Sequence, residues 1–355
     1  MKILFTYFVP SGGMETLNRT RGEALRKHGI ECHLLYTSYG AGLQNACSCP
    51  THIFDDDQLI QQLLINESFQ AIIVSSDFTM LERLRRLGFT GPIIFEAQGL
   101  GQMEHAISYI NDAAPYILSY ANALLYPPTS HLCKLFSQFP TKLHFSFSNC
   151  IDNEIIRYRP NEKHSTPIIG WVGRIEPNKN WRECLEIACL TLFHEPTIRL
   201  WIFEDATLSA PSEREHFKNV VSQLSLENHL DIFSNTPHIE MPYYYSVIGN
   251  SGGYLLSTSL LEGFGYAVAE AMSCNCPVLT TDSDGVRAFI EHNVTGKFYQ
   301  IGNTNHAVDE GLELMRNVPL RNSILNKGRE HLESAFSTET YVSHFIGILH
   351  YLGLQ

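Results

Sequence analysis

The feature that most limits the folds open to this chain is the stretch from Ser257 to Lys297, together with the apolar run that leads into it. Gly253-Tyr254-Leu255-Leu256 is apolar without alternation, the pattern of a strand buried on both faces of a parallel sheet. A polar turn starts at Ser257, Gly263 and Gly265 follow, and a helical stretch rich in Ala and Met comes next. Residues 276–281, with β-branched Val and Thr, then read as a second strand. Strand, turn, helix and strand in direct succession call for a parallel sheet with a crossover helix. A helix entered through glycines presents unpaired N–H groups and a partial positive charge, which suits a phosphate. Glu262 and Glu270 bracket this turn, and ordinary capping explains neither: one precedes the turn, the other lies past the first helical residues. Asp282-Ser283-Asp284-Gly285 forms a further turn with amides to offer.

The rest of the chain repeats the same alternation. In the first half, strands are expected at 3–7, 32–36, 71–75, 92–97, 123–126 and 143–147. The turn Pro10-Ser11-Gly12-Gly13 leads into a helix over 14–28, stopped by Gly29. The adjacent charges Asp55-Asp56-Asp57 read as a helix start and not as a metal site. Arg83, Arg85 and Arg86 read as a solvated helix face ahead of a lipid contact. A polar, proline-bounded linker spans 159–167, which places a domain boundary at residue 165. Beyond it come strands at 168–172, 199–203 and 230–233, and a helix with an inward stripe at Trp181, Leu185, Ala188, Cys189 and Leu192. Tyr243-Tyr244-Tyr245 reads as helix, serving packing ahead of stacking. The tail from Thr338 carries Tyr341, Phe345, Ile348, Leu349 and Leu352 on one helical face.

Glu262-Gly263-Phe264-Gly265, Glu270-Ala271-Met272, Pro277-Val278 and Asp284-Gly285, in that order, closely resemble the signature of the retaining glycosyltransferases of the GT-B fold, family-4 type. Asn149-Cys150-Ile151-Asp152 is similar to the N-G-x-D segment that closes the first domain there, with Cys150 in place of glycine. The turn from Gly173 through Arg174 to Lys179-Asn180 is similar to the family's G-R-x-x-x-x-K-N. The resemblance implies an α/β fold of two facing Rossmann-like domains. Residues 1–165 form the acceptor-side domain, 166–337 the nucleotide-sugar domain, and 338–355 a helix that crosses back to the first. It implies an enzyme, a hexosyltransferase, that moves a sugar from a nucleotide-diphosphate sugar to an acceptor hydroxyl with retention. The donor is a co-substrate, and no cofactor or metal is required. The acceptor is a saccharide, a lipid-linked molecule or a small molecule.

Site residues follow from the same resemblance. Arg174 and Lys179 suit a dianionic leaving group, the guanidinium forking two oxygens and the ammonium acting as a point charge. Glu270 is assigned to the ribose hydroxyls and Glu262 to the donor-sugar side, with backbone at Phe264 and Gly265 holding sugar hydroxyls. Gly12, Gly13, Gly173, Asp284 and Gly285 complete the donor contacts. Gln98 stands where relatives commonly carry a histidine. An amide can donate a hydrogen bond but cannot carry charge, so Gln98 is the fourth residue given a catalytic part. Glu96, two residues earlier, either compensates or faces the other side of its strand. The turn at Glu204-Asp205-Ala206 departs from the family's glycine-containing turn. Two other readings of the residues remain: a catalytically silent nucleotide-sugar-binding or assembly protein, and a nucleotide-sugar epimerase of the same fold.

Composition narrows the remaining classes. The 355 residues suffice for two domains with separate cores. No apolar stretch approaches the roughly 20 residues that span a bilayer. The start Met1-Lys2-Ile3-Leu4-Phe5 lacks a signal-peptide layout, so a cytoplasmic protein is expected. A net charge of −12, most of it from the second half, speaks against nucleic acid and anionic lipid. Nine scattered cysteines suggest reduced thiols. Cys47-Ser48-Cys49 with His52 lacks a fourth ligand and a familiar zinc spacing, and Cys274 and Cys276 read as packing residues.

Overall fold

The structure, a computed structural model, describes residues 1–101 and 103–354. Gln102 and Gln355, inside the expected first and last segments, lie outside the described residues. The chain divides into two compact units, Met1–Cys150 with Phe336–Gln355, and Ile151–Ala335.

The first unit holds a sheet of β1 (Lys2–Tyr7), β2 (Glu31–Tyr36), β3 (Thr51–Ile53), β4 (Ala71–Ser75), β5 (Ile93–Glu96), β6 (Ala123–Tyr126) and β7 (Leu143–Ser146). All neighbours run parallel, in the order β3-β2-β1-β4-β5-β6-β7. The apolar runs of β4, β5 and β6 are buried along their whole length, as strands covered on both faces must be. Covering them are α1 (Gly12–Lys27), α2 (Asp57–Glu67), α3 (Phe78–Arg86), α4 (Met103–Tyr120) and α5 (Ser130–Phe136). The acidic run does start a helix: the Asp56 carboxylate accepts from the Gln58 and Leu59 amides at 2.9 and 3.0 Å. Its neighbours Asp55 and Asp57 pair with Arg83 and Arg86, while Arg85 donates to the carbonyls of Phe89 and Gly91. The arginine cluster thus ties α2 and α3 together.

The second unit repeats the design with β8 (Ile168–Val172), β9 (Arg199–Glu204), β10 (Leu230–Ser234), β11 (Tyr254–Ser257), β12 (Val278–Thr281) and β13 (Lys297–Tyr299). The strands are again parallel, in the order β10-β9-β8-β11-β12-β13. Its helices are α6 (Trp181–Leu192), α7 (Pro211–Gln223), α8 (Met241–Asn250), α9 (Tyr266–Ser273), α10 (Thr304–Arg316) and α11 (Val318–Ala335). The expected stripe of α6 faces the core: Trp181, Leu185 and Ala188 are buried, with Cys189 and Leu192 packed at the margin. Each sheet reverses its winding between its first strand and the fourth, at β1/β4 and β8/β11. In open α/β sheets, such switch points are where the carboxyl ends of strands leave room for a ligand.

The chain after Ala335 returns to the first unit as α12 (Thr338–Tyr351), capped by Ser337 on the Thr340 amide. Its apolar stripe is buried at Tyr341, Phe345, Ile348 and Leu349, and the Phe345 ring lies 5.8 Å from that of Phe5 on β1. At the other junction, residues 151–165 belong with the second unit: the Arg159 amide bonds Ser246 Oγ, and Asn250 donates to Tyr158 and Asn161. The unit boundary therefore precedes the polar linker, because side chains of α8 hold the segment that composition alone marks as a connector.

Candidate functional site

The switch point of the second sheet gathers the residues expected to bind the leaving group. Beyond β8 the chain turns through Gly173 and Arg174 into a short 3-10 turn, Pro177–Lys179. That turn is stitched to the segment after β11. The Leu260 amide donates to Asn178 O at 2.8 Å, Asn178 Nδ2 to Leu261 O at 3.1 Å, and Thr258 Oγ1 to Lys179 O at 2.8 Å. Trp171 Nε1 in turn fixes Thr258 at 3.0 Å. The result brings Lys179 and Glu262 together: Nζ lies 2.5 Å from Oε1, which also accepts from Ser259 Oγ at 2.6 Å. Arg174 sits apart from this contact, paired with Glu176 at 3.0 Å and 44 % exposed. A surface pair of that kind is worth little, so the guanidinium can exchange Glu176 for a stronger anion.

Gly265 opens α9 at φ +86°, and a Cβ there would come within 2.7 Å of Val286 Cγ1. Both the backbone and the space demand glycine. Gly285 is required for a different reason, since a Cβ would fall 2.4 Å from Glu262 O and 2.7 Å from Phe264 N. Its amide donates to Glu262 O at 3.1 Å, so this N–H holds the two turns together instead of being offered to an anion. Asp284 and Asp282 both pair with Arg287. Phe264 is buried against the rings of Tyr266 and Phe289, which leaves only its backbone for a ligand.

Glu270 is buried on α9, and two partners that the sequence did not single out for it reach its carboxylate. His238 Nε2 donates to Oε1 at 2.7 Å and the Tyr245 phenol donates to Oε2 at 3.1 Å. Burial, with the Glu270 carboxylate beside it, pushes the Tyr245 phenol well above its ordinary range. Glu204, at the altered turn, serves structure: Arg214 and Ser234 Oγ both bond its carboxylate.

In the first unit, Gly12 and Gly13 lie exposed in the first turn of α1, with Gly12 at φ +60°. Gln98 is held at both ends of its amide: Nε2 donates to Glu96 Oε1 at 2.9 Å and Oε1 accepts from Asn149 Nδ2 at 2.7 Å. Glu96 turns inward. It is fully buried against Arg21 at 2.5 and 2.8 Å and accepts from Ser75 Oγ at 2.5 Å. Burial alone would raise its pKa, but Arg21, Ser75 and Gln98 together hold it below the ordinary carboxylate value. Arg21 also stacks over Phe5 at 4.1 Å and donates to the Tyr341 hydroxyl at 3.3 Å. The amide that replaces the family histidine is thus one end of a polar core network.

Two groups could present metal ligands among the described residues, Glu23 with Cys47 and Cys49, and Glu31 with His33 and Glu67. Both are in the first unit, and neither includes an expected site residue. Ser48 donates to both oxygens of Glu23, and the Lys2 ammonium lies 2.7 Å from Glu67 and 3.7 Å from Glu31, supplying a cation already. His52 does not join the cysteines; its ring bonds His33 at 3.1 Å.

Two doubly wound parallel sheets with a terminal helix returned to the first define the GT-B class of glycosyltransferase folds. HepE from Anabaena, solved with UDP and glucose, matches over 99 % of this chain and 100 % of its own, with a TM-score of 0.84 at 17 % identity. The model of the glycosyl transferases group 1 family matches residues 152–331, just over half of the chain. The chain belongs to that family. It is 24 % identical over 217 residues to poly(ribitol-phosphate) alpha-N-acetylglucosaminyltransferase of Staphylococcus aureus, covering 60 % of this chain and 41 % of that protein. It is 30 % identical over 91 residues to N-acetyl-alpha-D-glucosaminyl L-malate synthase of Bacillus anthracis, covering 26 % and 24 %. The chain therefore spans less than half the length of these curated relatives. Among the described residues, no helix is long and apolar enough to cross a membrane.

Proposed function

We propose that this protein is a retaining, metal-independent glycosyltransferase that moves a hexose unit from a nucleotide-diphosphate sugar to an acceptor hydroxyl, and that it works in the cytoplasm. The observation that carries this reading is the Lys179–Glu262 contact at the switch point of the second sheet, beside the glycine-entered start of α9. As the bond from the anomeric carbon to the diphosphate oxygen breaks, the sugar becomes oxocarbenium-like and the diphosphate gains charge. Lys179, the exposed Arg174 and the helix start of α9 stabilise that charge. The acceptor oxygen attacks from the same face, and its proton passes to the departing phosphate oxygen, which accounts for retention without a protein base. Glu262, shared between Lys179 and Ser259, receives the donor-sugar side, and Glu270 the ribose.

The acceptor is a saccharide, a lipid-linked molecule or a small molecule, taken up by the first domain. Two relatives are named for N-acetylglucosaminyl groups, so N-acetylglucosamine donors belong in the first trial. The test is a thermal-shift panel of UDP-, GDP-, ADP- and dTDP-sugars, then hydrolysis and transfer with the best binder, with the anomeric configuration read by NMR. An inverted product, or a donor that binds and never turns over, would reject the proposal. The second of these outcomes belongs to a silent nucleotide-sugar-binding protein. One observation favours that alternative: the Gln98 amide is engaged by Glu96 and Asn149, where relatives carry a histidine.

A further inference from the structure

The loop between β2 and β3 carries Cys47-Ser48-Cys49, away from every residue assigned to the donor, and it turns its two thiols toward each other. Their Sγ atoms lie within 4.8 Å, and the Cys49 amide donates to Cys47 Sγ at 3.4 Å. The two sulfurs differ in access. Cys47 is half-buried, whereas Cys49 is buried against α1, where a Cβ on Gly22 would fall 2.6 Å from its Sγ. Packing as a small apolar residue accounts for Cys49, but not for a second sulfur set beside it toward the surface. Ser48, between them, bends the chain and donates through its amide and its hydroxyl to the two oxygens of Glu23 on α1, at 2.5 and 2.6 Å. The same loop donates from the Gly42 amide to Pro10 O at 2.8 Å and from Asn45 Nδ2 to Glu15 at 3.1 Å, so it is tied to α1 along its length.

We propose that Cys47 and Cys49 are a thiol-exchange site: Cys47 takes up a low-molecular-weight disulfide, Cys49 resolves it, and the Cys47–Cys49 bond that forms loosens the loop from α1. The inference stands apart from the nucleotide-sugar reading. The thiolate is the attacking species, and a sulfur that already accepts an N–H is favoured in that form. The Cys47 thiolate attacks one sulfur of the disulfide RS–SR, which gives a mixed disulfide and releases RS⁻. Cys49 then attacks the Cys47 sulfur, giving its proton to the second RS⁻ as that group departs. Two thiols are oxidised, one disulfide is reduced to two thiols, and both protons end on the released RSH. Cys49 is too deeply buried to meet an external disulfide first, which fixes the order of the two roles. Closure draws the sulfurs to about 2 Å across the Ser48 bend, and so pulls Ser48 away from Glu23. A thiol pair also suits a reducing compartment, where such bonds form transiently and are reversed.

The experiment treats the full chain with oxidised glutathione, blocks remaining thiols with an alkylating agent, and maps the products by peptide mass spectrometry. Cys133→Ser serves as the background, since Cys133 is exposed on α5 and would take glutathione by itself. The expected product is a peptide holding Cys47 and Cys49 that is lighter by two hydrogens, carries no glutathione, and returns to the dithiol with dithiothreitol. Cys49→Ser should stop at the mixed disulfide on Cys47. Cys47→Ser should give neither the adduct nor the closed bond. The oxidised protein should melt about 2–4 °C below the reduced one, the scale for losing roughly 1 kcal/mol. The closed bond in the background protein supports the exchange site even where Cys49→Ser, altered at a buried position, does not fold. Free, alkylated Cys47 and Cys49 after treatment overturn the inference, as does a bond from Cys49 to Cys32 or a stable glutathione adduct with Cys49 still present. Equal melting of the oxidised and reduced forms overturns the loosening of the loop.

Discussion

A charged side chain here takes its role from how much water it keeps. Lys179 is only partly exposed, and its ammonium is shared with a glutamate, so a second anion arriving beside it meets a cation already fixed in place. Lys179→Ala should lower turnover by about a hundredfold, the scale for losing one preorganised charge-stabilising donor. Stability should fall by only about 1 kcal/mol or less, because the pair is partly solvated. Steady-state kinetics beside a thermal melt decide this; a lost fold with an unchanged rate per folded molecule would make Lys179 structural. Glu96 is the opposite case. It is fully buried with Arg21, and its pKa in the folded protein is depressed. Its contribution to stability is therefore present above the unfolded value of about 4.3 and lost as pH falls through the lower folded value. Glu96→Gln should cost about 3–5 kcal/mol at neutral pH, since it strands a buried guanidinium. It should also flatten the acid limb of a stability-against-pH curve, measured by denaturant unfolding. An acid limb as steep as the parent's would remove Glu96 as its source.

Among the elements, α12 has the most to lose by removal. Its buried face fills the first unit beside Phe5, and Tyr341 places a hydroxyl on Arg21 inside the same core. Deleting residues from Thr338 onward should expose that apolar surface, lower the melting temperature and promote aggregation. A soluble truncation with the parent's melting temperature would show the helix to be dispensable. The stretch that opens α9 works by a different principle. Gly265 takes a backbone conformation other residues avoid, and Gly285 lets a neighbouring turn approach to within hydrogen-bond distance of Glu262 O. The two glycines set the shape of the turn between Glu262 and Glu270.

For the whole molecule, the chemistry proposed needs cations that the chain carries itself. Arg174 and Lys179 supply two in the candidate site, and the ligand groups found elsewhere are already occupied by Lys2 and Ser48. Transfer should persist in excess EDTA at an undiminished rate. Complete loss, restored by a divalent ion, would show that a metal shares the leaving-group charge. Both sheets use the same winding, so each unit offers one switch point. The glutamate and basic motifs fall at that of the second unit, while Gly12 and Gly13 follow the first strand of the other.

The sequence by itself determined what is local. Continuous apolar runs gave β4, β6 and β8 at their expected bounds, and the 3.6-residue stripe gave the inward faces of α6 and α12. The glycine turns were legible for the same reason, since each imposes its constraint within a few residues. The short strands β3 and β13 left no such trace, because three residues are too few for a period to declare itself. What only the tertiary structure decided is which polar groups meet. His238 and Tyr245 reach Glu270 across 32 and 25 residues, and Arg21 reaches Glu96 across 75. No spacing rule connects such positions. The pairing follows from the order in which strands enter the sheet, and from the cost of burying any carboxylate that finds no donor. The same reason separates Glu96 from Glu270: one is closed off inside a core, while the other lies beside a partly exposed histidine.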